Sequence, residues 1–146
     1  MLLLFLVSGE PSVADDGTRA RYVGGTLSSI SEKAEGNLHV TDQEVLLFRS
    51  RKTDVRIPYE TINLLEYGQH ASRRLAMAVF VSPVFLLSKK REHFLTVGYS
   101  DEAGKQNALV FRVDKSKIRA VLASLEARTG RKVQFQDDEA RRAGKG

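Results

Sequence analysis

From Ala20 onward, apolar positions come in short blocks separated by turn residues. Tyr22, Val23, Leu27 and Ile30 lie in a first extended stretch, where Gly24 and Gly25 predict a bulge or a close backbone approach. Leu38 and Val40 alternate with Asn37, His39 and Thr41, the period-2 pattern of a half-buried strand. Residues 41–44 make a tight connection into a strand over 45–48, and 49–54 is another polar turn. The block 55–59 starts a further strand; Pro58 cannot donate a ladder hydrogen bond, so this strand lies at an edge or bends. The pattern resumes at Ile62, Leu64, Leu65 and Tyr67. A strand over 92–99, a Gly-containing loop over 100–105 and a returning strand over 108–113 read as a hairpin.

The period then changes. Ile118, Val121, Leu122 and Leu125 fall at i, i+3, i+4 and i+7, which predicts a helix over 114–129 with Asp114 as N-cap and Gly130 at the left-handed C′ position. Val133 and Phe135 follow as residues that can pack back on the sheet, and 137–146 reads as a flexible charged tail. The chain therefore divides into 1–18, a domain over 19–136, and that tail.

Short strands followed by one amphipathic helix describe a mainly β fold with a closing plug. The stretch Gly36-Asn37-Leu38-His39-Val40-Thr41, then Val45-Leu46-Leu47-Phe48, then Val55-Arg56-Ile57-Pro58-Tyr59 leading to Ile62, resembles the PH and GRAM family. Phe94-Leu95-Thr96-Val97-Gly98-Tyr99, Leu109-Val110-Phe111 and the final helix are similar in order. More narrowly, the chain is similar to bacterial PH-like proteins of unknown function that carry an N-terminal leader. The resemblance implies a PH-like bent barrel of seven strands closed by one C-terminal α-helix, and a binding module rather than an enzyme. It carries over no lipid-binding motif residue by residue, and fold alone does not decide function.

Composition narrows the chemistry. The 146 residues hold no cysteine, which excludes disulfides and thiolate metal sites, and no tryptophan. His39, His70 and His93 are too scattered for a local metal motif, and no G-x-S-x-G elbow or complete phosphate loop is present. Asp15-Asp16 and Asp137-Asp138 sit in the terminal segments, where acid–base geometry is hard to hold. No cofactor, no metal and no catalytic residue is expected. Residues 1–7 are wholly apolar, with the small residues Ser12-Val13-Ala14 following, the outline of an export leader that would direct the protein to the cell envelope. Without a leader the protein would be cytoplasmic and able to associate with a membrane.

The net charge of +5 is concentrated. Arg73, Arg74, Lys89, Lys90 and Arg91 flank an uncharged run over 75–87 that contains Phe80, Pro83 and Phe85. That run is shorter than the roughly 20 residues of a spanning helix. Two accounts fit it. In one, it dips into a membrane, Phe80 and Phe85 contact the apolar layer, and the flanking cations meet anionic headgroups at about 1 kcal/mol each. In the other, it is a buried strand, and the basic residues meet an acidic protein partner. Nucleic acid is not an expected partner, because the basic block is interleaved with aliphatic rather than exposed aromatic residues.

Overall fold

A computed structural model describes residues 17–31, 33–69 and 91–145. Its strands are β1 (Thr18–Gly25), β2 (Glu35–His39), β3 (Val45–Ser50), β4 (Asp54–Pro58), β5 (Ile62–Gly68), β6 (Phe94–Ser100), β7 (Gln106–Val113) and β8 (Gln134–Phe135). They form one sheet in the order β4-β3-β2-β1-β7-β6-β5-β8. Every neighbouring pair is antiparallel except β5–β8, which is parallel. The fold is mainly β, as the pattern predicts. The expected seven-stranded barrel is not what forms: the described residues hold eight strands, and β4 and β8 are separate edges of an open sheet. The eighth strand is two residues long, too short to leave a period in the sequence.

The local chemistry accounts for the elements. Asp42 accepts from the backbone N–H groups of Glu44 and Val45, which turns the chain from β2 into β3. Leu46 and Phe48 on β3, and Val55 and Ile57 on β4, alternate inward. Pro58 ends the edge strand, and a 3-10 turn over Tyr59–Thr61 leads into β5. The Gly24–Gly25 expectation holds. The register of β1 against β7 shifts between Tyr22 and Gly24, and a Cβ on Gly25 would stand 2.5 Å from the carbonyl oxygen of Ala108. The hairpin from β6 to β7 turns on Asp101, whose carboxylate accepts from the N–H groups of Ala103 and Lys105, with Gly104 at φ +77°.

One face of the sheet carries the core. Tyr22, Leu38, Phe48, Leu95, Leu109 and Phe111 are fully buried there. Helix α1 (Ile118–Thr129) covers it with Ile118, Val121, Leu122 and Leu125, the four stripe residues. The helix starts three residues later than the capping argument predicts, with Lys117 at the N-cap. Asp114 instead shapes the turn before it, accepting from the N–H and hydroxyl of Ser116. Gly130 ends α1 in the left-handed region, and its N–H bonds to the carbonyl of Glu126.

The charged end read as a flexible tail forms α2 (Asp138–Lys145). Its N-terminal turn is fixed by Asp137, which accepts from the N–H of Ala140. Ala140 is buried, and Gly144 is buried where a side chain would meet Phe135, Leu122 and Tyr67. The apolar footprint of α2 rests on small residues, which hydropathy does not reveal.

Candidate basic concavity

Strand register assembles a site that no local motif announces. Arg19 and Arg21 lie two apart on β1, on the opposite side from the inward Ala20 and Tyr22. Across β7, Arg21 stands opposite Arg112; across β2, it stands opposite Glu35. Like charges in direct register destabilise a sheet unless neutralised. Here each arginine has a carboxylate on its outer flank: Arg21 pairs with Glu35, and Nη1 of Arg112 donates to Glu92 Oε1 at 2.9 Å. The hydrogen bond and charge of Arg21 hold the Glu35 carboxyl below the usual carboxylate range. Nε of Arg21 is shielded from solvent with no hydrogen-bond partner among the described residues.

These residues border a concavity of about 400 Å³, with Arg91, His93, Asp114 and Lys115 on its rim. Its lining holds five cations against three carboxylates. Arg19 and Lys115 make no ion pair among the described residues, and Lys115 is exposed. Arg91 is exposed and paired with Glu139 of α2, which ties that helix to the edge of the site. A surface of this kind attracts anionic groups. Two of its three carboxylates, Glu35 and Glu92, are already engaged with arginines.

His93, which lines the concavity, faces Tyr67 with ring centroids 5.9 Å apart and planes at 12°. The Tyr67 hydroxyl is hydrogen-bonded to Nδ1 of His93. Burial pushes the Tyr67 phenol up to about 12, so it stays protonated and is the donor. Burial, then the charge of Lys115, lowers the His93 pKa below its ordinary value of 6.5, so the ring is the neutral acceptor. A histidine depressed in the folded state adds stability above 6.5, and that stability is lost as pH falls through the folded value. Urea unfolding compared at about pH 7.5 and about pH 5.5 should therefore show a weaker fold at the lower pH. The loss should shrink in His93→Gln; an equal loss in that variant would remove His93 as its source.

Of the residues singled out from sequence, Arg91 belongs to this concavity. Arg73, Arg74, Phe80, Phe85, Lys89 and Lys90 lie outside the described residues. Arg19, Arg21, Arg112 and Lys115 went unrecognised in the sequence, although arginine at every second position of a strand is a signal. Among the described residues, no group of three His, Asp or Glu could hold a metal ion, and no helix is long and apolar enough to cross a membrane. The chain matches no protein-family model, and no curated protein is significantly similar to it.

Proposed function

We propose that this chain is a non-catalytic PH-like binding or scaffolding module that meets an anionic surface, at a membrane or in the cell envelope. The carrying observation is the concavity, where Arg19, Arg21, Arg91, Arg112 and Lys115 gather on one side of the sheet. Lys90 and Lys89 directly precede Arg91 in the chain, and the basic-flanked apolar run precedes them. The PH-like part of the reading is supported by seven consecutive antiparallel strands in the order β4-β3-β2-β1-β7-β6-β5, followed by a helix on the core side. The envelope location rests on the leader-like residues 1–14.

The second reading is a soluble protein-interaction module with the apolar run in its core. It is favoured by the burial of Val23, Phe94 and Val110 on the side of the sheet away from α1. Liposome flotation of the chain starting at Asp15 separates the two. Flotation on anionic but not neutral vesicles, weakened by salt, is the expected result. It should be lost when Arg73, Arg74, Lys89, Lys90 and Arg91 become Ser, and reduced in Arg19→Ser/Lys115→Ser. Absence of flotation at any salt concentration would overturn the membrane reading and leave the acidic protein partner.

A further inference from the structure

We infer that α2 is a strap on the rim of the concavity, and that an anion bound there releases it through Arg91. The inference rests on the anion-binding reading and adds its regulation. Arg91 lines the concavity and is paired with Glu139 of α2, so a carboxylate of the chain itself already holds one of the five cations. An incoming anion and Glu139 compete for the same guanidinium. Docking of α2 and occupation of the site therefore oppose each other. By linkage the opposition is reciprocal: whatever loosens α2 strengthens anion binding by the same factor. A second route joins the same two places. His93 also lines the concavity and is hydrogen-bonded to Tyr67. Tyr67 in turn supports α2: its ring meets Phe135 edge-on at 6.0 Å, and a Cβ on Gly144 would stand 3.2 Å from its Cδ1. An ionic contact and a packed one thus run from the concavity to a single helix, which has two discrete arrangements, docked and released.

The construction of α2 suits release. Its eight residues are too few for a helix that is stable in water by itself, so it persists only through its contacts. It buries Ala140 and Gly144, where α1 buries Ile118, Val121, Leu122 and Leu125. Two small residues remove little apolar area from water. The other contacts are polar: Arg119 Nε donates to the carbonyl of Ala143 at 2.9 Å, and Lys145 Nζ stands 5.5 Å from the centre of the Phe135 ring. β8, which leads into α2, is two residues long. An element held this lightly opens far more often than the whole domain unfolds. Arg91 and Glu139 are both largely exposed, and an exposed pair shifts such an equilibrium about two- to fivefold. Release hands Arg91 to the anion and bares Tyr67, Leu122 and Phe135, the residues that α2 covers.

Because the protein contains no cysteine, one introduced thiol reports on α2 without background. Ala140 is 1 % exposed. In the full chain, Ala140→Cys should react with a maleimide at least about tenfold more slowly than Ala103→Cys on the exposed β6–β7 hairpin. Adding Glu139→Gln should speed the Ala140→Cys reaction about two- to fivefold. Phosphatidylglycerol vesicles should speed it by a similar factor, phosphatidylcholine vesicles should not, and neither should act further once Glu139→Gln is present. Reciprocally, Glu139→Gln should tighten binding to phosphatidylglycerol vesicles by that factor. Glu102→Gln, the same charge change at the opposite end of β6, should alter that binding little. Amide exchange across 140–145 in the unsubstituted chain, with and without vesicles, makes the same comparison without a thiol. Vesicles that bind and leave α2 protected, or labelling that Glu139→Gln leaves unchanged, would overturn the inference and leave the anion-binding reading standing. Faster labelling in Glu139→Gln together with no binding to any vesicle would instead overturn that reading, and the inference with it.

Discussion

Replacing Leu125 with aspartate is expected to abolish cooperative thermal unfolding. Leu125 is wholly buried on the third turn of α1, against the sheet. An aspartate there would bring a carboxylate into an apolar layer with no cation to pair it, or take up a proton to avoid the charge. Either way the cost is several kcal/mol, set against a total stability of roughly 5–15 kcal/mol for a domain. The exposed Ala123, two residues earlier, is the control: aspartate there should change stability by about 0.5 kcal/mol or less. Melting followed by circular dichroism would decide the matter. A Leu125→Asp protein that melts like the parent would mean that α1 does not cover the core.

Phe111→Ala should cost about 3–5 kcal/mol. Phe111 is fully buried at the middle of the sheet, edge-on to Tyr22 with centroids 6.0 Å apart and tilted against Phe48 at 4.9 Å. β7 alone supplies it, but its ring fastens residues from β1 and β3, so its removal opens a cavity shared by three strands. For a chain of this size the melting temperature should fall by roughly 10–20 °C. The urea midpoint should fall without a change in slope. A drop of less than about 1 kcal/mol would mean that the surroundings collapse into the space.

The elements that sequence reasoning recovered are those whose signal is local. The strands over 45–48 and 55–59, the Gly24–Gly25 bulge and the helical stripe ending at Leu125 each depend on neighbours a few residues away. The misses have the opposite character. Strand β8 exists because Gln134 and Phe135 meet Glu66 and Tyr67 across the fold. Helix α2 is held by Arg91 and by small residues lying against Phe135 and Tyr67, so nothing in its own composition predicts it. The concavity was least visible, since Arg21 and Arg112 are ninety-one positions apart and meet only through strand register. The block around residues 73–91 drew attention because its charges are contiguous, and only Arg91 of that block falls among the described residues.

The position of β1 sets the order in which the chain can be completed. Its first half pairs with β2, which follows within twenty residues, whereas its other edge pairs with β7, so that Ala20 waits for Val113. At a synthesis rate of roughly 5–20 residues per second, that edge stays unpaired on the ribosome for about 5–20 s. During that time β1 to β4 can assemble as a local meander, with Tyr22 and Phe48 lacking the ring that later joins them. Closure of so long a loop makes folding slow compared with a helical domain of the same size. The nascent N-terminal half is then the species that needs protection from aggregation, and a chaperone that shields a single strand edge would serve it best.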